Sequence, residues 1–276
     1  MRTLSRILRF AGAPGLDGQP LGEPVSRLKL DAEEWARGAV DLPAFDDRVD
    51  DCAAAGPFAI EVVGEPVSAG EEVEVRCQRW SGRRNGALPA EVMTRLLRRH
   101  RDLHPADKPL VRADYRHALD VWQWTLRLDP EAGAAVQIAA LFHDVERIFT
   151  EGDSRSEQAV ARYDDYKARH AARSAWIAAA LLREEKLDPD LAARAVELIA
   201  GHDQPGRTAA DAALLEDADA LSFFSLNSAG YLRYYGEEQA RRKVEWTLAR
   251  LSRRGRERLD GLSLLPPPAP GVRSPS

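Results

Sequence analysis

The chain has 276 residues, 44% hydrophobic and 30% charged, a balance ordinary for a globular protein in water and too polar for a membrane one. No apolar run approaches the ~20 residues of a membrane span, and a formal charge of −5 with a pI near 5.8 argues against a dedicated nucleic-acid surface. Cys52 and Cys77 stand outside any CxxC pair, so neither a disulfide framework nor a thiolate metal site is indicated. The opening MRTLSRILRF is basic, but the apolar stretch of a secretory signal does not follow it. The expectation is a cytoplasmic protein with a small-molecule partner.

In chain order, residues 1–85 hold much of the Gly and Pro punctuation, including GAPGLDGQPLGEP, and no sustained helical period. Within them PFAIEVVGEPVSAGEEVEVRCQRW contains two partly alternating runs rich in β-branched residues, split by a turn, which predicts a β-hairpin. From Leu88 the texture changes to Ala, Leu, Arg and Glu at helical spacing. That spacing predicts helices near 88–103, 111–128, 131–149, 164–186, 189–201, 208–224 and 236–253. The fold class is therefore mostly α: a helical bundle over 86–262, a small irregular and β appendage over 1–85, and a tail at 263–276. The tail's LPPPAPGVRSPS cannot hold a helix and is expected to be disordered. The basic stretches Arg95 to Arg101 and Arg253 to Arg258 read as solvated helix faces.

Four of the six histidines fall within helices or at their ends, and their order carries the chemistry. His117 lies in ADYRHALDVWQWTL, His143 and Asp144 follow AALF, His170 lies in YKARHAARSAW, His202 closes VELIAGH, and Asp219 lies in LLEDADAL. Neighbouring residues on a helix point about 100° apart, so a His-Asp dyad serves one ion lying between its side chains, or two ions bridged by the carboxylate. His100 and His104 are four apart but precede Pro105 and sit among Arg98, Arg99 and Arg101 with no third ligand nearby. A helix C-terminal cap or a surface role is expected for them.

The ordered set resembles the HD superfamily of metal-dependent phosphohydrolases over about residues 110–225. Single-metal members have a His, the HD pair and a later Asp, here His117, His143 with Asp144, and Asp219. Two-metal members add two histidines in the interval that His170 and His202 occupy. The resemblance implies an all-helical HD-domain bundle and a site of two divalent ions, manganese or iron first, with zinc, cobalt or nickel as alternatives. It implies that Asp144 bridges the ions, that His117, His143 and Asp219 complete one, and that His170 and His202 hold the other. Asp219 rather than Asp217 is the ligand implied by the DADAL segment. Asp217 is expected to accept a hydrogen bond behind a ligand imidazole or to lock the local turn.

The chemistry implied is hydrolysis of a phosphomonoester, phosphodiester or nucleotide by a metal-bridging hydroxide, with Asp144 in the catalytic centre. Arg147, one turn beyond the dyad, and Lys243, on the apolar side of its helix, are the expected substrate-binding cations; for either residue a salt bridge, with Glu146 or Glu245 among the partners, is the equal alternative. SFFSLNSAGYLRYYG could line a pocket, although core packing of Phe223, Phe224, Tyr231 and Tyr234 is the favoured expectation. Two alternatives stay open: a di-iron oxygenase of the same superfamily, and a non-catalytic metal or nucleotide sensor. Oligomeric state is not legible.

Overall fold

The computed structural model describes residues 2–4, 24–29, 58–64, 72–79, 90–104, 108–129, 132–150, 152, 163–204 and 209–259. The expectation for the tail at 263–276 lies outside them, as does Cys52. Four strands, β1 (Arg2–Leu4), β2 (Pro24–Lys29), β3 (Phe58–Gly64) and β4 (Glu72–Arg79), form an antiparallel sheet of order β1-β3-β4-β2. β3 and β4 are the expected hairpin, with Ile60 opposite Cys77 and Val62 opposite Val75. The β2–β4 register shifts between Pro24 and Ser26; Pro24 has no N–H to give the ladder and stands at the first position of its strand.

The helical region runs α1 (Ala90–Asp102), α2 (Pro109–Leu128), α3 (Ala134–Phe142), α4 (Arg147–Thr150), α5 (Tyr163–Glu184), α6 (Pro189–Gly201) and α7 (Ala210–Ser222). A π-helical turn at Phe223–Asn227 then leads into α8 (Ser228–Tyr235), α9 (Glu237–Arg250) and α10 (Arg253–Arg256). Pro starts α2 and α6, where a missing N–H costs nothing. The Asp188 carboxylate caps α6 by accepting from the Leu191 N–H at 2.9 Å.

α3 is the axis of the bundle. All nine of its residues, AAVQIAALF, are buried, and it packs against α1, α2, α6 and α7. A helix apolar on every side has no solvent face to offer and goes to the centre. Around it Trp122, Leu126, Ile138, Leu141, Phe142, Leu182, Ile199 and Leu215 are fully buried, each contributing roughly 1.5–3 kcal/mol of apolar transfer. The indole N–H of Trp122 donates to Gln137 Oε1 at 3.2 Å, so this interior polar pair is satisfied.

The helix expected over 131–149 is broken. α3 stops at Phe142, residues 143–146 form turns, and Val145 N–H and Arg147 N–H bond three residues back, to Phe142 and Asp144. The cause is local. The Ala140 carbonyl, which a continuing helix would offer to the Asp144 N–H, receives Nδ1 of His143 at 2.9 Å. Past Ser222 a continuous helix was expected to 224; the π turn replaces its end, and α8 lies where no helix was expected.

Candidate metal centre

α2, the α3 terminus, α5, the α6 terminus and α7 each deliver one part of a single buried cluster. His117, His143 and Asp219 form one group, and Asp144, His170 and His202 a second, each with ligand atoms all within 4.8 Å of one another. His117 Nε2 is 3.1 Å and His143 Nε2 3.7 Å from Asp219 Oδ1. Asp144 stands between the groups. Its Oδ1 lies 2.7 Å from His170 Nε2, 3.7 Å from His202 Nε2 and 3.8 Å from His143 Nε2, while Oδ2 lies 4.0 Å from His117 Nε2.

The other ring nitrogen of each of these four histidines is tied. His143 Nδ1 donates to the Ala140 carbonyl at 2.9 Å and His202 Nδ1 to the Ile199 carbonyl at 2.8 Å. His170 Nδ1 lies 2.8 Å from Glu146 Oε2, and His117 Nδ1 2.9 Å from the Ser222 hydroxyl. A carbonyl only accepts, so Nδ1 carries the proton at His143 and His202 and, in the neutral ring, Nε2 presents a lone pair to the cluster. His143 Nε2 is buried without a hydrogen-bond partner, a cost that a cation accepting its lone pair would remove. On that donor chemistry the residues fit a divalent metal at both groups, and mixed imidazole and carboxylate donors suit transition ions better than calcium.

The charges respond accordingly. Burial raises the Asp144 carboxyl, but Arg147, with Nε 2.9 Å from Oδ2, and the histidines His143 and His170 more than offset it, holding the pKa well below the usual range. Asp219 is likewise held low against burial, by His117 and His143. Burial opposes an imidazolium at His202, yet Asp203 and Asp144 raise its pKa to about 10. In the metal-free chain a proton on His202 thus supplies part of the positive charge that the cluster attracts.

Residues 94–269 match a protein family described as Domain of unknown function (DUF4202). The chain belongs to the DUF4202 family. No curated protein and no solved structure matches it. In this DUF4202 member no helix among the described residues is long and apolar enough to cross a membrane.

All six residues expected at the centre meet there. Arg147 lies against the Asp144 carboxylate, with its side chain 11% exposed. Lys243 has its ammonium 4.7 Å from the Trp246 ring and 6.0 Å from both Phe223 and Tyr231, a cation–π setting that accounts for its apolar-side position; the same Trp246 ring also lies 5.8 Å from Lys167 Nζ and 4.2 Å from Arg250 Cζ. Asp217 does neither of the things expected of it: its oxygens accept from the Ser252 N–H at 2.8 Å and from the Ser252 hydroxyl, 35 residues away, and so tie α7 to the start of α10.

Two further expectations are corrected. His100 and His104 are not surface residues: both are buried, their rings 4.3 Å apart and against Tyr115. The capping expectation does hold for His104, whose Nδ1 donates to the His100 carbonyl at 2.6 Å just past α1. Burial lowers both pKa values, His104 to about 4, so the pair is neutral core. Of the aromatic residues expected in the core, Phe223 and Phe224 are buried, whereas Tyr234 is 54% exposed.

Several site residues gave little sequence signal. Glu146 backs His170, and Ser222 backs His117. Lys167 Nζ lies 2.9 Å from Asp203 Oδ1, and Arg250 bonds Glu216 at 2.8 Å and the His202 carbonyl at 3.2 Å with its Nη1 4.0 Å from Asp219 Oδ2. Asp203 had a signal available: VELIAGHD ends in a second His-Asp dipeptide.

Proposed function

We propose that this DUF4202 member is a metal-dependent phosphohydrolase acting on a small phosphomonoester, phosphodiester or nucleotide, with two divalent ions of the manganese or iron type. The observation that carries this reading is the convergence of four imidazole Nε2 atoms on two carboxylates, with each Nδ1 engaged behind the cluster. The order of those residues along the chain, with its likeness to the HD superfamily, supports the same reading. Bound there, the ions would activate a water as nucleophile and offset charge at the phosphoryl group.

The chain's own contributions follow from position. Asp144 Oδ1 lies 3.8 Å from His143 of the first group and 2.7 and 3.7 Å from His170 and His202 of the second, so the carboxylate would serve both ions. The carbonyls of Ala140 and Ile199 hold His143 and His202 in one tautomer and orientation, so little reorganisation accompanies binding. Arg147, on the outer oxygen of Asp144, would meet a phosphoryl oxygen once that carboxylate is engaged by metal. Lys243, held among aromatic rings, would meet a more distal anionic group.

The test is phosphate release from a panel of phosphomonoesters, phosphodiesters and nucleotides, with added Mn²⁺ or Fe²⁺ under anaerobic conditions. Metal-dependent hydrolysis lost in His143→Ala is expected. Absence of hydrolysis by metal-loaded protein across the panel would contradict the reading. A second reading, oxygen activation, is favoured by the composition of each group as two histidines and one carboxylate, a donor set of non-haem iron sites. Turnover that requires oxygen would select it.

A further inference from the structure

We propose that Asp203 is a fourth protein ligand of the second ion, its charge balanced in the metal-free chain by Lys167. The proposal rests on the two-ion reading of the cluster and extends it to a residue outside the six.

The first observation is a repeat of local structure. α3 ends at Phe142 and is followed by His143 and Asp144, and α6 ends at Gly201 and is followed by His202 and Asp203. In each, the histidine folds Nδ1 back onto the carbonyl three residues earlier, Ala140 or Ile199, at 2.9 and 2.8 Å. That bond takes the acceptor that a continuing helix would offer to the following Asp N–H, so each helix stops and the Asp is set beside its histidine. The outcome is similar: Asp144 Oδ1 lies 3.8 Å from His143 Nε2, and Asp203 Oδ2 lies 3.2 Å from His202 Nε2. The chain therefore builds two His-Asp dyads by one device, and Asp203 is nearer the metal-facing nitrogen of its partner than Asp144 is.

The second observation is the state of the carboxylate. The Asp203 side chain is 1% exposed, yet neither oxygen accepts a hydrogen bond of good geometry. A buried carboxylate left so is costly unless charge compensates it. The compensation is Lys167 Nζ, 2.9 Å from Oδ1, while Oδ2 remains directed at His202 Nε2. Lys167 and His170 are one helical turn apart on α5, so the lysine arrives from the helix that supplies a ligand to the second group. Arg147 at Asp144 and Arg250 toward Asp219 repeat the arrangement, a basic side chain beside each carboxylate of the centre.

The two ions would then differ in kind. The first takes His117, His143, Asp219 and a share of Asp144; the second takes His170, His202, Asp203 and a share of Asp144. A third carboxylate moves the cluster's charge from −2 to −3 against two divalent ions, and Lys167 is left positive at the edge of the loaded site.

The test uses the full chain stripped of metal and titrated with Mn²⁺, with metal content after desalting and the visible spectrum of the Co²⁺ form as separate readouts. Asp203→Asn is expected to weaken the second equivalent at least about 100-fold, beyond the ~10–100-fold of an outer partner, to leave the first unchanged and to alter the Co²⁺ bands. Lys167→Met, which keeps the carboxylate and the apolar stem, is expected to tighten the second equivalent by removing its competitor. It carries the test if Asp203→Asn does not fold. If Asp203 serves only to neutralise Lys167, Asp203→Asn leaves both equivalents and the Co²⁺ bands as in wild type, and Lys167→Met fails to tighten either; each result overturns the proposal. His170→Ala separates the two ideas. If it loses one equivalent while Asp203→Asn loses none, the two-ion reading stands and Asp203 is not a ligand; if wild type binds a single equivalent that His170→Ala leaves intact, both fall.

Discussion

The two halves of the cluster use the same donors but are backed differently. Behind His117 and His143 stand a hydroxyl and a carbonyl, both neutral. Behind His170 stands the Glu146 carboxylate, and beside His202 stands Asp203 with Lys167. Asp203 and Asp144 beside His202 raise its pKa to about 10 against burial, so in the metal-free chain the second half holds a proton there. Orientation is secured in both halves; the electrostatic weight lies in the second.

The largest expected effect comes from the one residue the halves share. Asp144→Asn should lower any metal-dependent hydrolysis by at least about 10³-fold and weaken both metal equivalents, as read by paired activity and metal content. Loss confined to one equivalent would show that Asp144 serves a single half.

The pH dependence of the metal-stripped chain should reveal the asymmetry next. A folded-state pKa of about 10 at His202 contributes stability fully present below the ordinary value near 6.5 and lost as pH rises through about 10. The depressed carboxyls of Asp144, Asp203 and Asp219 contribute stability present above the ordinary carboxylate range and lost as pH falls below it. Melting temperature should therefore be highest near pH 5–7 and fall toward pH 10, with added Mn²⁺ opposing the alkaline fall because metal replaces the proton. A flat profile from pH 7 to 10 would remove His202 as the proton's site.

A paired substitution then addresses the backing groups. Glu146→Gln should weaken the second equivalent about 10–100-fold, and Ser222→Ala should affect the first equivalent alone and by less, in Mn²⁺ titrations. Equal losses in both variants would erase the distinction between a charged and a neutral backing group.

Two controls lie outside the halves. Asp217→Ala removes the acceptor of both Ser252 donors and should cost about 2–3 kcal/mol of unfolding free energy, with both metal equivalents retained. Loss of metal would show that Asp217 supports the centre directly. Lys186, between α5 and α6, has φ of 54°, where a side chain is strained and glycine is not. Lys186→Gly should add up to about 1 kcal/mol in denaturant unfolding and leave metal binding alone.

Much of this centre was legible because ligand chemistry is carried by few residue types and the chain has only six histidines. His117, His143, Asp144, His170, His202 and Asp219 fall in the two groups that the resemblance implies. The backing groups were not legible. Glu146 and Ser222 matter through a ring nitrogen on another helix, a relation of rotamer and packing with no periodicity to expose it. The end of α3 was missed for a related reason: LFHDVERIF continues a helical period, and only the His143 side chain bonding Ala140 shows why the backbone turns. His100 and His104 looked exposed because arginines flank them, yet Arg95 and Arg99 reach outward to Glu185 and Glu184 while the imidazoles point into the core.

The most direct test of the central claim is a count of bound metal in wild type beside His143→Ala and His170→Ala, after Mn²⁺ loading and desalting. Two equivalents in wild type, with each substitution removing the ion of its own half and His170→Ala retaining about one, is the predicted result. One equivalent in wild type, unchanged in His170→Ala, would contradict a two-ion centre.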